Sequence, residues 1–288
     1  GAPALSEDGK SVMNAQLYKQ AMLIAAKHDI PVLAHCEDKS LTNGGCMNED
    51  ERSEELGLPG ICNASEDVIA ARDIILANDT GVKLHLCHCS TKATVVMMKK
   101  AKEEGFRVTA EVCPHHFTLS SEDIPGDDPN YKMAPPLRRR EDVEALRQGL
   151  KEDIMDVIST DHAPHSQADK TGSMRTAAFG IVGLETSVAL TITELVKTGI
   201  LTPMQMAERM SFAPARILGL ENKGSVSEGK TADLVVFDPS REYEIDTDTF
   251  LSKGKNTPFD GWKVKGDVKY TLVDGKLVYK NKAYEEQE

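Results

Sequence analysis

Six of the eight histidines fall in three short stretches, and each stretch holds other residues able to bind a metal or move a proton. The densest is LHLCHCST (84–91), with His85, Cys87, His88 and Cys89 in five positions. These residue types bind zinc. Side chains alternate along a strand, so His85, Cys87 and Cys89 share one face and His88 lies on the other with Leu84 and Leu86. No C-x-x-C occurs elsewhere to complete a zinc knuckle. The alternation therefore predicts one ligand, His88, with the other three under flanking helices. In STDHAPHS (159–166), Asp161 ends a strand and Ala163-Pro164 turns the chain. A carboxylate placed there can hold a metal and also shuttle a proton. In EVCPHHF (111–117), Pro114 ends a strand, which assigns His115 and His116 to a loop in structural or surface roles.

The elements that carry these residues alternate between strand and helix. Leu17, Ala21 and Ile24 recur at helical spacing and predict a helix over 11–28 with that stripe inward. Helices are also predicted at about 65–79, from Ser90 or Thr91 to Gly105, over 141–151, and through a helix-rich stretch at 183–219. Strands are predicted at 2–6, 31–36, 82–88, 106–112 and 155–160. The acidic segment 38–60 reads as a loop with a solvated face. From Gly224 the chain becomes β-rich, and the DG in VKYTLVDGKLVY signals a hairpin.

Strand-helix alternation implies a parallel sheet with right-handed crossovers. Several predicted strands end in a metal-competent residue: Asp8, His35, His88 and Asp161. In a (β/α)8 barrel such ends converge on one site, and two histidines with two carboxylates suit a borderline metal. The expected fold class is therefore α/β, built on a parallel sheet of about five β/α units. Residues 1–220 are assigned to it, and residues 221–288 to a small C-terminal β module.

The net charge of −12 argues against a general nucleic-acid surface. No apolar run reaches the length of a membrane span. The cysteines lack the density of a secreted disulfide framework, so cytoplasm is the expected compartment.

AHCED, LHLCHCSTK, EVCPHHF, APPLR, STDHAPH, AAFGIVGLET, GKTADLVVFDP and SKGKNTPFDGW occur in order. Together they resemble the bacterial long-type dihydroorotase family of the amidohydrolase superfamily, over residues 4–282. The resemblance implies a (β/α)8, TIM-like barrel with a binuclear zinc site and a β-sandwich-like side domain. It implies that Asp8 bridges the metals, that His35 and His88 bind the second, and that Asp161 binds the first and is the catalytic acid/base. It implies substrate contacts from His165 and the Phe179-Gly180 backbone. Family members often carry Asn at Ala134, so one polar substrate contact is expected to be missing. The family's H-x-H and adjacent Arg have no counterpart here and are expected upstream of residue 1. The chain then carries the fourth to eighth barrel strands, and the isolated 288 residues are expected to show little turnover.

The implied activity is interconversion of N-carbamoyl-L-aspartate and dihydroorotate in pyrimidine biosynthesis. A hydantoinase- or allantoinase-type amidohydrolase is the alternative with the same chemistry. A non-catalytic pseudo-enzyme, acting as partner subunit to aspartate transcarbamoylase, is the alternative of another class. A homodimer is a further expectation of the resemblance.

Overall fold

A computed structural model describes residues 1–287. In chain order its strands are β1 (Leu5–Ser6), β2 (Val32–Ala34), β3 (Met47–Asn48), β4 (Gly60–Ile61), β5 (Leu84–Leu86), β6 (Val108–Val112), β7 (Val157–Ile158), β8 (Leu234–Glu244), β9 (Lys263–Val273) and β10 (Lys276–Lys280). The chain forms two compact units. One is Gly1–Gly183 with Leu251–Pro258; the other is Leu184–Phe250 with the chain from Phe259 on. Residues 184–220, assigned from sequence to the barrel, lie in the second unit.

The first unit is built on a five-stranded parallel sheet in the order β1-β2-β5-β6-β7. A lone parallel bridge from His162 to Ile181 extends the backbone pairing past β7. Each strand is shorter than its apolar run predicts: β2, β5 and β7 stop before the expected end, whereas β1 and β6 end where expected and start later. Helices Ala15–Lys27, Ala64–Thr80, Lys92–Glu103 and Arg140–Lys151 connect the strands. Their starts are capped by local chemistry. Asn14 accepts from the Leu17 amide and Thr91 from the Thr94 amide, each satisfying one of the orphan donors of a first turn.

The first helix turns a different face inward from the expected one. Tyr18, Met22 and Ala25 are buried, whereas Leu17 and Ile24 are 58% and 62% exposed. Both stripes have the same i, i+4, i+7 spacing, so periodicity alone cannot choose between them. The inward stripe carries Tyr18, over whose ring the Arg72 guanidinium sits at 5.1 Å. Segment 38–60 is also more ordered than a loop. It holds the parallel pair β3–β4 and the helix Glu51–Leu56, whose N-terminus is closed by a reciprocal Asp50–Ser53 capping box.

In the second unit, helical segments between Ser187 and Ile217 include π-turns at Ile192–Val196 and Glu208–Phe212. They accompany an antiparallel sheet ordered β10-β9-β8. Asp274 and Gly275 both take positive φ between β9 and β10, the hairpin turn that the DG pair predicts. A Cβ at Gly266 would lie 2.4 Å from the Ile192 side chain, so this close approach of β9 requires glycine. Among the described residues no helix is long and apolar enough to cross a membrane.

Candidate metal centre

Three consecutive strands of the first sheet end on one cluster. Asp8 follows β1 in a turn continued by Gly9 at φ 75°, His35 directly follows β2, and His88 follows β5. One donor atom from each lies within 4.8 Å of the others. His35 Nδ1 and His88 Nε2 are 2.9 Å apart, with the rings edge to face. An Asp8 carboxylate oxygen is 3.7 Å from His35 and 3.6 Å from His88. Both histidines are buried, while the Asp8 side chain is 67% exposed.

The structure corrects the alternation argument for LHLCHCST and places His88 in the candidate cluster. In register, Leu84, His85 and Leu86 pair with Val108, Thr109 and Ala110. Leu84, Leu86, Val108 and Ala110 are fully buried on the face covered by helices, whereas His85 bonds Thr109 Oγ1 at 2.8 Å and Glu111 at 3.1 Å on the opposite face. His85 is therefore not under the helices. The ladder stops at Leu86, and His88 takes a left-handed backbone, φ 33°. That reversal lets His88 reach the side where His85 already points, since alternation holds only while the strand is regular.

Glu111, which sequence reasoning passed over, ties the two together. One carboxylate oxygen accepts from the His88 amide at 3.2 Å and the other faces His85 Nε2. An acid inside the apolar run of β6 was the available signal. Burial opposes charge on Glu111, but His85 and then the charge of His88 hold its carboxyl below the usual range. Burial likewise pushes the His88 imidazole down, yet Asp8, Asp161 and Glu111 outweigh it and raise it to about 9. Hydrogen bonding to His88 lowers Asp8.

Asp161 also has a left-handed backbone, φ 45°, at the end of the chain segment from β7. It stands outside the 4.8 Å trio, but its charge and that of His88 act on each other. Burial is the main cause that raises its carboxyl above the usual range, with Asp8 and Glu111 adding to it.

The other predicted residues cluster next along the chain. His165 Nε2 lies 2.7 Å from the Phe179 carbonyl, and its amide donates to Asn256 Oδ1. Gly180 has φ 118°, and a Cβ there would lie 2.4 Å from that of Ala163, so only glycine fits. Its carbonyl accepts from Asn256 Nδ2 and from Lys170 Nζ, each at 3.0 Å. Lys170 also holds the carbonyls of Lys132 and Ala178, which fixes the Phe179-Gly180 loop from beneath. Asn256, in KNTPFDGW, and Lys170 are clamps that sequence reasoning did not single out. Ala134 is half-buried and precedes Pro135 through a cis peptide bond. Pro135 and Pro136 line a small cleft with His35 and Glu37.

A second trio, Cys113, His115 and His116, lies apart from these strand ends in sequence, on one turn. Pro114 does not lead into a loop; it opens a short helix, Pro114–Thr118, that is buried throughout. A surface role for the two histidines is thereby excluded.

The amidohydrolase family model matches residues 1–278. A dihydroorotase of Ligilactobacillus salivarius is 50% identical over 97% of this chain and 65% of its own length. One from Caldanaerobacter subterraneus is 48% identical over 100% of the chain and 67% of its own length. The chain thus spans about two thirds of the curated relatives it matches. Among solved structures, the L-hydantoinase (dihydropyrimidinase) of Arthrobacter aurescens superposes with a TM-score of 0.84 at 25% identity, over 96% of this chain and 63% of that one. The dihydropyrimidinase of Brevibacillus agri superposes with a TM-score of 0.85 at 24% identity, over 97% and 63%, a likeness of fold. Metal-competent residues at the ends of parallel strands, a family match over nearly the whole length and relatives at half identity lead to one conclusion: the chain belongs to the amidohydrolase family.

Proposed function

We propose that the protein carrying this chain is a dihydroorotase, interconverting N-carbamoyl-L-aspartate and dihydroorotate as a cyclic amide hydrolase. The observation that carries the reading is the convergence of Asp8, His35 and His88 from three strand ends, in a chain half identical to proteins named dihydroorotase. Cytoplasmic location, homodimerisation and pairing with aspartate transcarbamoylase are parts of the same proposal. So is the assignment of residues 221–288, of which Glu288 lies outside the described residues, to a side domain.

The donors fit a metal. Two neutral-capable imidazoles and a carboxylate meet with their donor atoms facing, and His88 Nδ1 is buried without a hydrogen-bond partner among the described residues. Asp8, His35 and His88, with Asp161, would hold the metal, zinc in two copies on this reading. Bound there, it would supply Lewis acidity, lowering the pKa of water and polarising a carbonyl.

The chain's own residues do the rest. Asp161, pushed up by burial, is a carboxylate of raised proton affinity, suited to taking a proton from water and delivering it to the leaving ring nitrogen. The Phe179-Gly180 backbone, clamped by Lys170 and Asn256, orients the substrate with His165 beside it. Rigid positioning of this kind supplies much of an enzyme's rate advantage. Asp161→Asn keeps the shape and removes the base, and should lower turnover of dihydroorotate at least ~10²-fold. Turnover near that of the unaltered protein would remove Asp161 from this role.

The resemblance to hydantoinases and the small side chain at Ala134 favour a second reading, a hydantoinase- or allantoinase-type enzyme. Rates on dihydroorotate, hydantoin and allantoin compared side by side distinguish the two.

A further inference from the structure

The turn Cys113–Pro114–His115–His116 carries a second donor set, and it differs in kind from the strand-end cluster. One ligand-capable atom from each of Cys113, His115 and His116 lies within 4.8 Å of the others. All three residues are 2% exposed or less. His116 Nε2 lies 3.0 Å from the Pro135 carbonyl, which can only accept, so that nitrogen carries the proton and donates it. The tautomer is thereby fixed, and His116 Nδ1 is left as a bare lone pair. Neither His116 Nδ1 nor His115 Nε2 has a hydrogen-bond partner among the described residues. Leaving such atoms unpaired in a dry site is destabilising. An imidazole whose far N–H is held by a backbone carbonyl is the usual outer arrangement of a metal-bound histidine. Burial also keeps both rings uncharged, holding His115 at about 3. The lone pairs are therefore available at any ordinary pH.

We propose that Cys113, His115 and His116 form a site for one soft monovalent cation of the Cu(I) type. The donor set is one sulfur and two imidazole nitrogens, which suits a soft ion. No carboxylate belongs to the trio. One thiolate and one monovalent cation sum to zero charge, whereas a divalent ion would leave a net positive charge among buried groups, at a high solvation cost. Binding replaces the Cys113 S–H proton, which passes to solvent, with a metal–sulfur bond. The thiol's present contact is weak, Cys113 Sγ to Ser159 Oγ at 3.7 Å, so the cost of the exchange lies in ionising a thiol that burial pushes well up, a cost the metal–sulfur bond must offset.

The test uses the full chain under anaerobic conditions, with Cu(I) delivered from a chromophoric competing chelator. A background carrying His35→Asn and Cys87→Ser removes the strand-end trio and the third donor set, His85 with Cys87 and Glu111, as rivals. One equivalent should bind, and X-ray absorption should show one sulfur and two nitrogen neighbours. Cys113→Ser and His115→Gln should each weaken binding by more than the ~10–100-fold that losing an outer contact costs. If Cys113→Ser fails to fold, the unaltered chain's spectrum and His115→Gln still decide. A spectrum without sulfur, or an affinity unmoved by His115→Gln, overturns the site.

Discussion

Two regions of the first unit hold buried histidines, and the same ring behaves in opposite ways in them. At the strand ends, burial opposes charge on His88, but Asp8, Asp161 and Glu111 surround it and its pKa rises to about 9. On the turn after β6, burial acts on His115 without such partners and its pKa falls to about 3. Desolvation is the largest single cause in both places. What differs is the origin of the neighbours. The strand-end site collects acids from three separate strands, while the turn draws its trio from four consecutive residues. Burial alone thus says little about a histidine's chemistry; the charges brought to it by distant parts of the chain decide.

The largest expected effect comes from removing the acid that organises the first region. Glu111→Leu would leave His85 Nε2 and the His88 amide without their carboxylate. Two buried donors lose a charge-assisted partner, a loss of about 3–5 kcal/mol, to be read from urea unfolding midpoints at constant m-value. A loss below about 1 kcal/mol would mean that Glu111 does not bind the two strand ends together. In the second region the two histidines should separate. His116→Phe removes the donor to the Pro135 carbonyl and should cost about 1–3 kcal/mol. His115→Phe replaces a ring nitrogen that has no partner among the described residues, and should cost less. Equal losses would dissolve the distinction drawn between them.

Much of the first region was legible in the sequence, because polar residues at the ends of apolar runs are conspicuous. Asp8, His35, His88 and Asp161 were all named from that pattern, and a parallel sheet of five strands followed from strand-helix alternation. Two things escaped. Alternation along residues 84–89 gave the wrong face to His85, because where a strand ends depends on its neighbours in the sheet and on backbone reversal at His88. The inward face of the helix Ala15–Lys27 was also misread, since two stripes of equal period compete and only packing chooses. Glu111, Lys170 and Asn256 share a third reason. Each acts on groups far along the chain, and no local spacing announces such a role.

The last expected effect concerns a third buried group, in which partner and burial oppose each other more evenly. Asp73 is fully buried beside the Arg72 guanidinium, with 2.7 Å between Nε and Oδ1, while its other oxygen has no hydrogen-bond partner among the described residues. Burial prevails over Arg72 and raises the carboxyl to about 6. Asp73 thus sides with His115, where desolvation wins, and against His88, where partners do. The folded chain holds this proton more tightly than the unfolded chain, whose carboxyl titrates at about 3.9. Stability from Asp73 is therefore fully present below that value and is lost as pH rises through about 6. Asp73→Asn mimics the protonated form and should flatten the change in urea midpoint between pH 4 and pH 7. The remaining slope then belongs to other groups, Glu7 among them, which burial raises to about 7. A slope unchanged by Asp73→Asn would mean that Arg72 holds the carboxylate charged, and would move Asp73 to the side of the strand-end cluster.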